Sequence, residues 1–490
     1  MLEPFGLPKI MRLRDNARLL QVVLVLLLLV DLAYSFFQHY HSMLDGDMAD
    51  IVLPAPRYAH VLKDPFGLRA LIGGEYYGGS NRFVPHWTMS AFYKTVPHAL
   101  QALATPLDSV YLASAVALTS IQAVLIYLIS ACAVGTRRLI NTRLLVAALI
   151  VTPLFQTYGF NWHVGIISGS PTYSFFYPLA SAWMLFFFLP FFLFYLHGQT
   201  IAASWFAVVL AIPLAWAVSF NGPLNPAVML LICPPVLLYE GWMWWKRRQH
   251  GEPGRCSLVG APRWILYACA AGVVWAALSY AVGRHNIENL EQTIPLRDRY
   301  MKLPKGIRDF FFNTPAVLIL ADVLLLNLAL ISLLRLSAVR RTHRLTFGFV
   351  VFAVVFTLLL PLGGYRPYRP FIIRADSIQP VILGAIILYA FTTVQLLRHF
   401  KLQARALYSL IPVAVCIYFT YWDEPNRGNN YCEREALKAI AASPQRVALT
   451  GAACTIMAWE KIADPKRSAN NARLLHYWRI LPEEKLYYQP

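Results

Sequence analysis

The chain has 490 residues, 58% of them hydrophobic and 14% charged. That balance excludes an ordinary soluble protein or a disordered one and points to a polytopic membrane protein. The net charge of +18 lies mostly in short connections between apolar runs, which positive-inside bias explains without nucleic acid.

Apolar runs near twenty residues recur from end to end, each long enough for about 30 Å of hydrocarbon; they predict an all-α fold with about eleven transmembrane helices. Lys9, Arg12, Arg14 and Arg18 place the N-terminus in the cytoplasm. Segment one, roughly Leu19 to Phe37, is too long for a signal h-region, has no small-residue cleavage site after it and reads as a permanent anchor. Asp31 inside it reads as a carboxyl hydrogen-bonded to a neighbouring helix.

A long first outer loop, 38–108, follows. It opens with the acidic stretch His39 to Asp50, in which Asp45 and Asp47 flank Gly46. Carboxylates cost least where water reaches them, so this stretch is expected at the membrane surface. Pro56 to Leu62 and Thr88 to Leu103 read as short amphipathic helices near the membrane. Between them, Gly73 to Arg82 is a glycine-rich close-approach loop containing Glu75 and Arg82.

Segments two to eleven follow at about Val110–Val134, Leu144–Phe160, Phe175–Leu196, Ala202–Phe220, Leu224–Trp245, Trp264–Val282, Pro315–Leu334, Leu345–Leu362, Pro380–Leu397 and Ala406–Tyr421. With this count every basic short loop is cytoplasmic. The transmembrane unit is 1–421, and 422–490 forms a small extracytoplasmic tail. Cys432 and Cys454 are the two cysteines in that tail, and two cysteines in an oxidising compartment are a disulfide candidate, the alternative being two free thiols.

Three groups carry chemistry. Asp45 or Asp47 within reach of an acceptor hydroxyl can remove its proton as it attacks. The second carboxylate can orient the acceptor, hold a divalent cation or shift its neighbour's pKa; the bland alternative is a solvated acidic turn. The second group is basic residues on the side that positive-inside bias should deplete: Arg366, Arg369 and Arg374 in one stiff proline-containing loop, and Arg297, Arg299, Lys302, Lys305 and Arg308 in another. Guanidinium groups bind phosphate through paired hydrogen bonds; headgroup contact is the alternative. The third is histidines at the outer face, among them His41, His86 and His163, which can donate to a phosphate or bind metal. No Walker loop, glycine fingerprint, nucleophile elbow or zinc signature occurs, and no cofactor is required by the sequence, although a divalent cation at Asp45 and Asp47 is compatible with it.

In layout the chain resembles the polytopic glycosyltransferases of the GT-C fold, which use polyprenyl-phosphate sugars. The matching features are segment one, Asp45-Gly46-Asp47 opening a long outer loop with juxtamembrane helices, many further spans and a small outer tail. The resemblance implies inverting transfer of a sugar from a polyprenyl phosphate to a glycan, lipid or protein acceptor, at the outer (periplasmic) face of a cell inner membrane. Asp45 or Asp47 would be the base, with Asp45 favoured as the first acidic residue after segment one. Arg366, Arg369 or Arg374, or the Arg297–Arg308 loop, would hold the leaving phosphate. The rival readings are an O-antigen polymerase or ligase, which would need no aspartate after segment one, and a transporter or flippase, for which Asp31 and Asp322 are the intramembrane candidates.

Overall fold

The computed structural model describes residues 7–155, 166–199, 205–249, 262–291, 294–336, 339–363, 367, 369, 371–423 and 426–490. Helices dominate because the apolar runs leave backbone polar groups no partner in lipid except one another. Nine helices among the described residues are long and apolar enough to cross a membrane. The first is Ala17–Tyr40 of α1 (Leu7–Tyr40) and the second is α5 (Pro106–Val134). Of the eleven segments expected, the third and fifth are shorter where described: Thr142–Leu154, beginning with α6 (Thr142–Val151), and Val209–Ser219 of α9 (Trp205–Ser219). Segment four is a broken span, Pro171–Leu196, made of α7 (Pro171–Phe176) and α8 (Pro178–Phe191). The break falls at Tyr177, whose following Pro178 cannot donate a helical hydrogen bond.

The remaining spans are carried by α10 (Leu224–Gln249), α11 (Arg263–Gly283), α14 (Pro315–Leu333), α15 (Val339–Leu359), α16 (Gln379–His399) and α17 (Leu402–Tyr421). α16 is the most buried of them and packs against α5, α6, α14, α15 and α17. α1 and α15 are the most exposed. Leu19, Leu26, Leu29 and Val30 of α1 face outward, as suits a helix apolar all round.

The first long loop, 38–108, is more ordered than its turn-rich sequence suggests. It holds α2 (Met48–Val52), α3 (Leu68–Leu71) and α4 (Phe83–Leu100). The amphipathic helix expected at Thr88–Leu103 starts five residues earlier, at Phe83, and packs on α2 and α5 through the buried Met89 and Tyr93. Pro56–Leu62 forms two 3-10 turns, Pro56–Tyr58 and Val61–Lys63, in place of one helix. The second long loop, between α11 and α14, contains α12 (Glu288–Glu291) and the amphipathic α13 (Leu296–Phe312). α13 buries Leu303, Gly306 and Phe310 on one stripe.

The tail folds onto the first loop. It contains α18 (Tyr431–Ala442), α19 (Ala469–Tyr477) and the parallel strand pair β1 (Val447–Leu449) and β2 (Leu486–Tyr488); these elements and their connections supply Leu437, Ala448, Ile456, Met457, Leu475, Trp478 and Tyr487 to one hydrophobic core. The first loop and α5 supply Leu44, Met48, Val52, Tyr93, Tyr111 and Leu118 to the same core. Residue 422 is therefore a boundary in sequence but not in packing. Cys432 and Cys454 are joined in a disulfide with Cα atoms 6.1 Å apart.

Candidate functional site

Asp45 lies in the turn between α1 and α2 and is 5% exposed, not solvated as its loop position suggested. Ser170, the N-cap of α7, donates from its hydroxyl to Oδ2 at 2.7 Å, and the Thr172 backbone N–H donates to the same oxygen at 2.8 Å. The Thr172 hydroxyl donates to Oδ1 at 2.7 Å and the Asp47 N–H at 3.0 Å. Four donors fill the acceptor capacity of a carboxylate. The cost of burying the charge is offset by these bonds, one of which satisfies an orphan N–H in the first turn of α7.

Asp47, two residues on, is half-buried and differently placed. Burial, reinforced by the charge of Asp45, pushes its pKa up to about 6, against the opposing effects of a hydrogen bond from Trp459 and the nearby Arg57. Asp50 accepts from Asn470 Nδ2 at 2.6 Å and lies 3.7 Å from Arg57. Every acid of this stretch thus meets the tail, directly or through a neighbour. Glu433, beside Cys432, completes the pattern: it is fully buried and accepts from Leu44 N (2.9 Å), Tyr111 OH (2.9 Å) and Met457 N (3.0 Å). Burial pushes its pKa up to about 7, with the Asp45 charge adding to the shift.

Gly46 has a specific task between the two acids. A Cβ there would lie 2.7 Å from Trp459 Cδ1 and 2.8 Å from the Trp459 backbone nitrogen. Only glycine lets the tail approach so closely. Met457, two residues before Trp459, has a left-handed backbone (φ 45°), held by the N–H bond to Glu433 and by Asn471 Nδ2 on its carbonyl (3.0 Å).

Two flanks adjoin the acids. On one, Trp459 meets Tyr173 edge to face with ring centroids 5.6 Å apart, and Tyr173 stacks on Tyr177 at 5.8 Å and 13°. Tyr173 lies in the fields of Asp47, Arg369 and Asp376. Arg369 and Arg374 both pair with the buried Asp376, at 3.9 and 2.5 Å, so two guanidinium groups share one carboxylate. On the other flank, Arg57 lies 4.6 Å over the Tyr58 ring, and Tyr58 donates to Glu288 at 3.0 Å. Arg82 and His86 join this flank: the Arg82 charge acts on both Tyr58 and His86. Burial pushes His86 down to about 4, so at neutral pH it is an uncharged donor or acceptor. Its Nδ1 faces the Arg82 carbonyl at 2.7 Å.

The other sequence candidates fall elsewhere. Arg299 donates to the Ile294 and Pro361 carbonyls, at 2.8 and 3.2 Å, which ties α13 to the end of α15. Arg297 is exposed on α13. Glu75 is engaged by Arg69 and His60, and these contacts hold its carboxyl below the usual range. His41 Nδ1 meets the Phe37 carbonyl at 2.8 Å and finishes α1. Asp31 accepts from the Thr152 hydroxyl, as read from the sequence, and Asp322 is exposed on α14. Arg366 and His163 lie outside the described residues. Sequence reasoning missed Ser170, Thr172, Tyr173, Glu433 and Trp459. Ser170-Pro171-Thr172 is a legible N-cap, but nothing local ties it to Asp45.

Among the described residues no three or more His, Cys, Asp or Glu side chains converge so as to hold a metal ion. The Asp45 oxygens are taken up by four protein donors.

No family model matches the chain, and no curated protein in sequence and no solved structure in fold matches it significantly.

Proposed function

We propose that the protein is an integral membrane glycosyltransferase of GT-C type, moving a sugar from a polyprenyl phosphate to a hydroxyl acceptor with inversion, and that Asp47 is the general base. The observation that carries the assignment within the pair is the contrast between the two acids. Asp45 spends all its acceptor capacity on Ser170, Thr172 and the Asp47 N–H. It serves as a fixed anion that orients the turn. Asp47 keeps acceptor capacity, and burial and Asp45 raise its pKa to about 6. A base poised just below neutral pH is ionised in use yet strong enough to take a hydroxyl proton.

In this reading Asp47 accepts the acceptor proton as the oxygen attacks the anomeric carbon from the face opposite the phosphate. The leaving phosphate takes up negative charge, and Arg369 and Arg374, which share Asp376 on the Tyr173 flank, are the cations that would stabilise it. The layout of segment one, acidic loop and tail supports the reading by resemblance.

Transfer of a labelled sugar from a synthetic polyprenyl-phosphate donor by purified protein tests it. Asp47→Asn is expected to lower the rate by about 10²–10⁴. The wild-type rate is expected to fall as pH drops through about 6, because protonation removes the base. Asp45→Asn places an amide against four donors and is expected to act through folding, with a lowered melting temperature. Full activity of Asp47→Asn would sink the assignment.

A further inference from the structure

The tail brings a large aromatic side chain to the acids and leaves it open. Trp459 is 56% exposed, although it is anchored on three sides. Its indole lies beside the Asp47 carboxylate, its backbone packs on Gly46, and its ring and that of Tyr173 meet edge to face. The left-handed Met457 and the Cys432–Cys454 disulfide fix the segment that carries it. Exposing an indole costs hydrophobic free energy, and holding it rigid costs conformational entropy as well. What sets Trp459 apart is that its aromatic surface is held beside a carboxylate, an arrangement that matches a ligand with an apolar face and a hydroxylated edge. A pyranose ring has both: its C–H groups pack on an aromatic face while its hydroxyls donate to a carboxylate.

We infer that Trp459, backed by the Tyr173–Tyr177 stack, is the platform on which a pyranose ring of the substrate lies, with a ring hydroxyl directed at Asp47. This deepens the transferase reading and rests on it. Trp459 is a specificity-determining residue here: axial substituents on the stacked face lift the ring from the indole, so sugars with a flat apolar face are preferred. The tail, remote in sequence from the acidic loop, supplies the half of the site that recognises the sugar, whereas the loop supplies the half that reacts.

The test is binding, separated from transfer. The full-length protein in nanodiscs is titrated with methyl glucopyranoside, methyl mannopyranoside and methyl galactopyranoside, read by saturation-transfer NMR. At least one glycoside is expected to bind wild type. Trp459→Ala is expected to weaken it by about tenfold or more, and Trp459→Phe by much less, since an aromatic face remains. Should Trp459→Ala fail to fold, Trp459→Leu, apolar but without a ring face, takes its place with the same expectation. If no glycoside binds wild type, or if the Ala or Leu variant binds as wild type does, the platform is wrong. Asp47→Asn separates the two ideas. If it retains sugar binding and loses transfer while Trp459→Ala binds normally, the transferase reading stands and the platform falls. If it retains transfer while Trp459→Ala loses binding, the base assignment falls and the platform stands.

Discussion

Gly46 and Trp459 are in contact across more than four hundred residues of chain: the glycine Cα faces the tryptophan backbone, and a single added carbon would lie 2.8 Å from its nitrogen. The obstacle is backbone, which cannot rotate away as a side-chain tip can. Gly46→Ala is therefore expected to destabilise the tail–loop contact by about 1–3 kcal/mol and to displace Trp459 from Asp47. Hydrogen exchange of residues 454–460 measures the loosening. Unchanged protection there, with unchanged transfer, would show that the close approach does not hold the tail in place.

Glu433 is expected to give the tail a pH dependence. Its pKa is raised by burial from 4.5 to about 7, so the folded state binds a proton that the unfolded state releases. The sign follows from linkage: the stabilising effect of that proton is complete below about 4.5 and is lost as pH rises to about 7. Across this window the loss amounts to about 3 kcal/mol. Glu433→Gln keeps a carbonyl acceptor for the Leu44 or Met457 N–H and removes the titration. Thermal unfolding at several pH values should show a shallower slope for the variant between about pH 5 and 7. Parallel slopes would exclude Glu433 as the source.

Arg369 and Arg374 cannot be removed together without consequence, because Asp376 would remain buried and unpaired. Breaking such a pair costs about 3–5 kcal/mol. The expected pattern is poor folding of Arg369→Ala/Arg374→Ala and rescued folding when Asp376→Asn is added. If these arginines hold the leaving phosphate, the rescued triple variant folds yet shows a raised KM for the polyprenyl-phosphate donor and a lowered kcat. Wild-type kinetics from the triple variant would move the phosphate to the exposed basic residues of α13.

The tail and the first loop divide what was legible from what was not. Asp45-Gly46-Asp47 stood out in sequence because its position just after a long apolar segment is a one-dimensional fact. The cysteine pair stood out because the expected span count placed both cysteines together in an oxidising compartment. The functions of the two aspartates did not separate there, since neighbouring identical side chains differ only in what surrounds them. The basic loops were read as one class of phosphate ligand, and their surroundings differ: Arg299 donates to two carbonyls, whereas Arg369 and Arg374 share Asp376.

By itself the sequence determined that this is a helical, multi-pass membrane protein, because hydrophobic length and period are properties of contiguous residues and the bilayer reads them locally. It also located the acidic turn. Tertiary structure alone decided which acid is buried and saturated and which keeps a raised pKa. Three of the four Asp45 donors come from Ser170 and Thr172 at the start of α7, more than a hundred residues away. Trp459 and Glu433 arrive from the far end of the chain. Desolvation and hydrogen bonding set these differences, and both depend on neighbours that packing supplies and residue order does not.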